Sequence, residues 1–299
     1  MNATVSLLRR AARATVRIEA SIPERHPSVQ ILGTARIGSG TIVEPDGLIL
    51  TVNYVVLGAS SLKVTLPDER EVPAQIAAID LTSGLAALRV AAEHLPVLPM
   101  STSAQVQLGD EVFVVSSTAE GGCRVSDGGV TYLGPFDANW EYTLDRAIMC
   151  SALNPGLGGG ALVDSAGRAV GVVSLSLNAI GRFVLAVPGE CFVDHRDELL
   201  KHGRRVTVRS RAWLGVFCHV MQRHVVIAGL MPGAPAERAG LKQGDVILTI
   251  DGHDVVDRAT LYHRLWNRRA GDAVALRIFR DKQIQTIEVP TVAVEEFFS

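Results

Sequence analysis

A long succession of short strand-like runs constrains the fold of this chain more than any other feature. From about residue 14 to residue 187 these runs are separated by Gly, Pro and Asp, as in "GSGTIVEPDGLILTVNYVV", "EVFVVSS" and "RFVLAVP". Short runs with turn residues between them are typical of antiparallel β-barrels and sandwiches. The sequences "EPDG" (Glu44–Gly47) and "DSAG" (Asp164–Gly167) predict tight turns between apolar runs. We therefore expect a mostly β fold in this region.

The pattern changes near Pro188. A helix is predicted within Pro188–Gly203, because apolar residues lie at helical spacing and a glycine ends the run. The basic stretch "KHGRRVTVRSR" that follows is typical of a solvated linker. Beyond it, strand patterns surround two predicted helices over roughly 85 residues, which is enough for a small independent domain. We predict a first domain over residues 1–200, a linker over 201–211 and a second domain over 212–299.

Composition excludes several classes of function. The net charge of -2 gives no reason to expect nucleic acid as a partner. The four cysteines form no CxxC pair and have no histidine at ligand spacing, so neither a metal site nor a cofactor is expected. No run reaches the length of a membrane span. Arginine interrupts the apolar start of the chain, and "ATVRIEA" alternates like a first strand, so we expect a cytoplasmic protein by default, with an organelle or the periplasm as alternatives.

The second domain resembles a PDZ domain of the bacterial HtrA/Deg type. The most specific part is "APAERAGLKQGDVI", Ala234 to Ile247, and the likeness extends over nearly all of residues 213–292. PDZ domains add an extended peptide to an exposed strand edge and capture a terminal carboxylate on clustered backbone N–H groups. The resemblance places the carboxylate-binding loop at "WLGV", with Gly215 allowing the tight turn. The predicted peptide-binding residues are Trp213, Leu214, Gly215, Val216, Cys218, Leu261 and Leu265. For the two helical leucines, packing in the core is an equal alternative.

The first domain resembles the trypsin-like protease domain of the same family. Three motifs carry the likeness, in the family's order: "GSGTIVEPDGLILTVNYVV" from residue 38, "DLTSGLAALRV" from residue 80 and "NPGLGGGAL" from residue 154. The resemblance implies two six-stranded antiparallel β-barrels, followed by the α+β PDZ domain.

The three positions that match the family's catalytic residues hold other residue types. Tyr54 stands at the general base, Gly84 at the orienting carboxylate and Gly158 at the nucleophile. A phenol with a pKa near 10 stays protonated at neutral pH, and glycine has no side chain. We therefore predict a degenerate triad, no catalytic residues and a vestigial oxyanion loop at Gly156, Leu157 and Gly158, whose glycines leave it free to relax.

On these grounds we expect a pseudoprotease that is not an enzyme: an adaptor, chaperone-like or regulatory protein of protein quality control that binds extended or C-terminal peptides. The alternatives are a serine-endopeptidase-like protein with residual or unconventional hydrolase activity, and a regulator that assembles with an active HtrA protease. Expected partners are peptide or unfolded-protein segments. The resemblance further implies a homotrimer or a mixed oligomer with an active homologue, since family members trimerise through the protease domain.

Overall fold

The structure is a computed structural model that describes residues 3–177 and 182–299. It divides into two compact units. The first contains Met1–Pro135 and Leu144–Val206, and the second contains Phe136–Thr143 and Thr207–Ser299. A short segment from the middle of the chain thus belongs to the C-terminal unit. The predicted domain limits remain a prediction.

The first unit holds two closed β-barrels of six strands each, as the sequence predicts. In the first barrel the strands follow the order β1-β2-β3-β6-β5-β4, and in the second the order β10-β11-β12-β9-β8-β7. Their bounds are β1 Thr15–Ser21, β2 Ala35–Glu44, β3 Leu48–Val52, β4 Ser61–Thr65, β5 Glu71–Asp80, β6 Leu85–Val90, β7 Glu111–Ser117, β8 Cys123–Asp137, β9 Thr143–Cys150, β10 Ala161–Asp164, β11 Ala169–Ser176 and β12 Val184–Pro188. Antiparallel pairing joins the strands for which a residue register is resolved.

Both predicted turns are present at the ends of barrel strands. Gly47 N–H donates to the Glu44 carbonyl at 3.2 Å, and Gly167 N–H donates to the Asp164 carbonyl at 2.9 Å. Gly47 has φ 91° and Gly167 has φ 81°, values at which only glycine is unstrained. The hairpins β2–β3 and β10–β11 follow from this local chemistry.

Five short helices accompany the barrels: α1 Ala3–Arg13, α2 Val29–Leu32, α3 Asn53–Val56, α4 Glu190–Val193 and α5 Arg196–His202. The single helix predicted between Pro188 and Gly203 is therefore two helices. Gly203 ends α5 with φ 71°, in the left-handed conformation that favours glycine after a helix. The predicted first strand is β1, and a helix precedes it.

The second unit contains a six-stranded sheet. The sheet has the order β14-β15-β16-β18-β19, with β17 paired to β16, and β13 pairs with β20 separately. The bounds are β13 Ala212–Trp213, β14 Val216–Met221, β15 His224–Leu230, α6 Pro235–Arg238, β16 Val246–Ile250, β17 His253–Asp254, α7 Arg258–Trp266, β18 Ala273–Arg280, β19 Gln283–Pro290, β20 Val292–Ala293 and α8 Val294–Phe297. Strand β14 lies at one edge of the sheet, and α7 contacts strands β14 and β16 of that sheet.

Candidate functional site

Tyr54 lies on α3, directly after strand β3. Its hydroxyl donates to the Ser174 carbonyl on β11 at 2.8 Å. Burial raises the pKa of Tyr54 to about 12, because a phenolate would lose its hydration. The hydroxyl therefore stays protonated at neutral pH and acts as a hydrogen-bond donor. A side chain in this state cannot accept a proton from a nucleophile.

Gly158 lies against Tyr54. A Cβ built on Gly158 would overlap the Tyr54 hydroxyl oxygen and would stand 3.3 Å from the ring carbon that carries it. The carbonyl of Gly158 accepts from the Ser39 N–H at 2.7 Å, so the backbone here is fixed to β2. Residue 158 therefore has no room for a side chain while tyrosine occupies position 54.

Gly84 joins the same cluster through the backbone. Its carbonyl accepts from the Asn53 N–H at 2.8 Å, immediately before Tyr54. Its φ of 81° is in the left-handed region, where residues with a Cβ are strained. The buried carboxylate of Asp80 lies in the same turn and accepts from Ser83 Oγ at 2.6 Å and from the Thr82 N–H at 3.0 Å. Gly84 thus contacts the residue before Tyr54, and Gly158 lies against Tyr54 itself. The assignment of positions 54, 84 and 158 to a degenerate triad remains a prediction.

The loop around residue 158 is closely packed. Leu157 N–H donates to the Ser117 carbonyl at 2.9 Å, and Gly159 N–H donates to the Val173 carbonyl at 2.7 Å. A Cβ on Gly156, Gly159 or Gly160 would overlap backbone oxygens of neighbouring strands. The glycines therefore allow close approach of the backbone here, and the expected relaxation of this loop is not what the structure shows.

The N–H of Gly156, a residue of the predicted vestigial oxyanion loop, is already bonded within that loop. Gly156 N–H donates to Asn154 Oδ1 at 3.1 Å. An oxyanion hole needs N–H groups that point at the reacting oxygen. In this conformation Gly156 offers its N–H to the asparagine side chain instead.

A serine–histidine contact lies elsewhere in the first unit. His26 Nδ1 is 2.7 Å from Ser28 Oγ, and Arg36 Nη2 donates to the same oxygen at 2.6 Å. Arg36 Nη1 also donates to the Tyr54 carbonyl at 2.9 Å. Ser28 is only 1% exposed, so this pair anchors the segment between β1 and β2 and does not present a hydroxyl to substrate. Sequence analysis missed Arg36, which is buried and fixes α3.

The loop "WLGV", which the resemblance assigns to carboxylate binding, contains three backbone N–H groups that donate to one carboxylate. Leu214 N–H donates to Glu141 Oε2 at 3.0 Å. Gly215 and Val216 N–H donate to Glu141 Oε1 at 2.8 and 2.9 Å. Gly215 has φ 82°, which allows the consecutive amides to face one point. Glu141 was not among the predicted site residues, and it belongs to the segment Phe136–Thr143 of the same unit.

The other predicted peptide-binding residues are buried in the core of the second unit. Cys218, Leu261 and Leu265 have no exposed surface, and burial raises the pKa of Cys218 to about 12. Trp213 packs against Phe297, with ring centroids 4.7 Å apart. The two leucines thus contribute to the apolar core in this structure. Their role in peptide binding remains a prediction.

Among the described residues, no group of His, Cys, Asp and Glu side chains has a metal-binding arrangement. Within residues 3–177 and 182–299, no helix is both long and apolar enough to cross a membrane.

Comparison with known proteins assigns the family. Residues 38–172 match the trypsin-like peptidase domain, and residues 212–291 match the PDZ domain. A DegP-like periplasmic serine endoprotease of Marinomonas sp. is 31% identical over 271 residues, which are 85% of this chain and 56% of the relative. The chain belongs to the HtrA/Deg family. A protein of the same name from Hahella chejuensis is 32% identical over 260 residues, 81% of this chain and 54% of that one. The chain spans about half the length of the curated HtrA/Deg relatives it matches.

Solved HtrA/Deg structures share the fold. The HtrA-type protease AlgW with a decapeptide matches with a TM-score of 0.59 and 25% identity, covering 98% of this chain and 99% of that chain. The serine endoprotease from Yersinia pestis matches with a TM-score of 0.59 and 23% identity over the same shares, a likeness of fold alone.

These HtrA/Deg relatives contradict three expectations drawn from the sequence. The relatives are named serine endoproteases, so the interpretation as a non-proteolytic adaptor is wrong, and so is the expectation that the chain is not an enzyme. They are also named periplasmic, which contradicts the cytoplasmic location.

Proposed function

We propose that this chain acts in periplasmic proteolysis as an HtrA-type serine-endopeptidase homologue with an altered catalytic centre. The family, the location and the reaction class come from relatives that cover 85% and 81% of the chain at 31% and 32% identity. The altered centre consists of Tyr54, Gly84 and Gly158 at the positions of base, carboxylate and nucleophile. Peptide-bond hydrolysis here is residual and uses water without a serine nucleophile at position 158.

One observation carries the altered centre: the contact between the Tyr54 hydroxyl and Gly158. Binding and oxyanion stabilisation alone leave serine proteases with roughly 10³ to 10⁴-fold acceleration over water when triad residues are removed. The loop at residues 156–160 lies beside position 54, and residual catalysis of this kind requires the Gly156 N–H to leave Asn154 Oδ1. Its rate falls far below that of a complete triad, because the members of a triad act as a unit.

The second unit supplies polypeptide capture. Its sheet has the edge strand β14, and its three clustered amides at Leu214, Gly215 and Val216 suit a carboxylate. The preferred ligand is an extended polypeptide with a free C-terminus. Capture by the second unit therefore supplies polypeptide substrate to the proteolytic function proposed for the chain.

A second candidate function is a subunit of a mixed oligomer with an active HtrA-type protease. The fit between Tyr54 and Gly158 favours this role, because the two residues fill the centre in a mutually adapted way. In such an oligomer, which we take to be a trimer, active neighbours cleave the captured chain.

The test is digestion of unfolded casein, followed by mass spectrometry, with repeated purification to exclude a contaminating protease. Wild-type protein is compared with the triple variant Tyr54→His, Gly84→Asp, Gly158→Ser and with Leu157→Ala as a loop control. The proposal is supported if wild-type protein cleaves casein slowly, with a specific activity that stays constant through repeated purification. The triple variant should then cleave casein faster than wild type. If wild-type protein does not cleave casein, the proposal of residual hydrolysis is refuted. Native mass spectrometry of a mixture with an active relative then decides the second candidate: mixed trimers support it, and separate homo-oligomers refute it.

A further inference from the structure

The segment Phe136–Thr143 presents a carboxylate to the amide cluster of the second unit. Three consecutive N–H groups of this unit donate to the two oxygens of Glu141 at 2.8 to 3.0 Å. Consecutive amides that face one point form an anion-binding nest, and PDZ domains use such a nest for the C-terminal carboxylate of a peptide. Glu141 is only 8% exposed, so its carboxylate fills this position.

The same segment also pairs with the edge strand. Cys218 N–H on β14 donates to the Asn139 carbonyl at 2.7 Å. Val216 N–H, two residues earlier on the strand, donates to the side chain of Glu141, two residues later in the segment. The segment therefore contacts β14 through one backbone hydrogen bond and one side-chain carboxylate, and it lies beside the edge to which an extended peptide would add.

Helix α7 holds the segment from the other side. The Tyr262 hydroxyl donates to the Ala138 carbonyl at 2.8 Å and accepts from the Glu141 N–H at 3.0 Å. Arg258 Nε donates to Asp137 Oδ2 at 2.7 Å, and its Nη2 donates to the Asp137 carbonyl at 3.0 Å. The groove between edge strand and helix is therefore occupied along residues 137–141.

Glu141 differs from a true chain end in one respect. Its carboxylate comes from a side chain, and the backbone continues into β9. Its φ is 51°, in the left-handed region that non-glycine residues avoid. A peptide that ends in a carboxylate can reach the nest without this unfavourable turn. A competing ligand of that kind is thus able to replace the segment.

We infer that the segment Phe136–Thr143 is a built-in ligand of the PDZ groove, with the Glu141 carboxylate in the place of a peptide C-terminus. An extended polypeptide with a free C-terminus binds only after it displaces this segment. The inference rests on the proposed polypeptide capture and adds its regulation: the groove is self-occupied until a ligand competes. The apparent affinity for such a ligand is lowered by the fraction of molecules in which the segment is bound.

The test uses the full chain and two fluorescein-labelled decapeptides of one sequence that ends in leucine, one with a free carboxylate and one amidated. Affinities are measured by fluorescence polarisation for wild type, Glu141→Gln and the matched control Glu288→Gln. Glu288 is an exposed carboxylate on β19 of the same unit. A second variant, Tyr262→Phe, loosens the segment and leaves the Glu141 charge intact. Thermal melting verifies that each variant is folded.

We expect Glu141→Gln to bind the free-carboxylate peptide at least about tenfold more tightly than wild type, because hydrogen bonds to a charged acceptor are the stronger ones and this variant removes the charge. Tyr262→Phe is expected to change affinity in the same direction, and Glu288→Gln is expected to match wild type. The affinity for the amidated peptide is expected to be the same for Glu141→Gln and wild type. Equal affinity of wild type and Glu141→Gln for the free-carboxylate peptide would overturn the inference and leave polypeptide capture intact.

Amide hydrogen exchange at Leu214, Gly215 and Val216, measured by NMR without peptide, gives an independent readout. Protection in wild type that is lost in Glu141→Gln supports occupation of the nest, and fast exchange in wild type overturns it. If no protein binds either peptide, polypeptide capture fails as a proposal, while the exchange data still decide whether Glu141 occupies the nest.

Discussion

The Tyr54 hydroxyl occupies the space that a side chain on residue 158 would need. The same hydroxyl donates to the Ser174 carbonyl, so it cannot simply turn away. Tyrosine and glycine at these positions are therefore structurally coupled. The change in the free energy of unfolding caused by a substitution at one position depends on the residue at the other.

Gly158→Ala is expected to destabilise the wild-type protein by about 2 kcal/mol, a cost typical of overpacking in a closed site. In the Tyr54→Phe background the overlapping oxygen is gone, and the cost is expected to fall to less than half. Urea unfolding of the two single variants and the double variant measures this coupling. An equal cost of Gly158→Ala in both backgrounds would show that the two positions are independent.

Gly159 and Gly121 have similar backbone conformations but different surroundings, so comparing them tests how closely the loop at residues 156–160 is packed. Their φ values are 99° and 96°, but a Cβ on Gly159 would overlap Ser39 O and Thr51 Oγ1, whereas a Cβ on Gly121 meets nothing within 4 Å. Gly121→Ala is expected to cost about 1 kcal/mol for the backbone alone. Gly159→Ala is expected to cost about 2 kcal/mol more, because overlap adds to the backbone cost. Thermal or urea unfolding compares them, and similar costs would refute tight packing of the loop.

Glu141 predicts a specific dependence of stability on pH. Burial raises its pKa to about 7, against the opposing effect of three amide hydrogen bonds. Because the folded pKa exceeds the unfolded value near 4.3, the folded state binds more protons between these pH values. The stability contribution of Glu141 is therefore complete below pH 4 and is lost as pH rises through 7.

The corresponding measurement is urea unfolding of wild type and Glu141→Gln between pH 4 and pH 8. The free energy of unfolding of wild type, relative to the variant, is expected to fall by about 3 kcal/mol across this range, since one pKa unit corresponds to about 1.4 kcal/mol. Cys218 stays protonated throughout, because burial raises its pKa to about 12. Glu288→Gln is the control, and a difference that does not change with pH would contradict the raised pKa.

Arg36 is expected to be essential for the position of Tyr54. Its buried guanidinium donates to the carbonyls of Tyr54 and Leu57 and to Ser28 Oγ. Lysine at position 36 cannot make all of these hydrogen bonds. Arg36→Lys is expected to lower the free energy of unfolding by about 2 kcal/mol, because buried acceptors lose their donors. The exposed Arg25→Lys is the control and is expected to change stability by less than about 0.5 kcal/mol. Guanidinium or thermal unfolding distinguishes the two, and equal effects would show that the Arg36 contacts contribute little.

The sequence predicted the barrels and the PDZ fold well, because turn chemistry at Gly47 and Gly167 and the three spaced motifs are local signals. The sequence did not predict the close packing of the loop glycines. Glycine indicates conformational freedom, whereas the backbone oxygens that surround these residues come from distant strands. Leu261 and Leu265 show a similar limit: helical spacing identifies a buried face without saying whether a core or a groove covers it.

Glu141 lay beyond the reach of sequence reasoning for a different reason. It is an isolated acidic residue between two strands, more than 70 positions from the amides that it binds, and no local pattern marks such a pairing. Only the three-dimensional arrangement of the second unit reveals it.

The pairing of Asn139 with strand β14 has a consequence for colloidal behaviour. An open strand edge offers unpaired N–H and C=O groups to any neighbouring molecule and invites intermolecular sheet growth. Here part of that edge is covered from within the same polypeptide. The cover keeps this part of a hydrogen-bonding template away from other copies of the chain at high concentration.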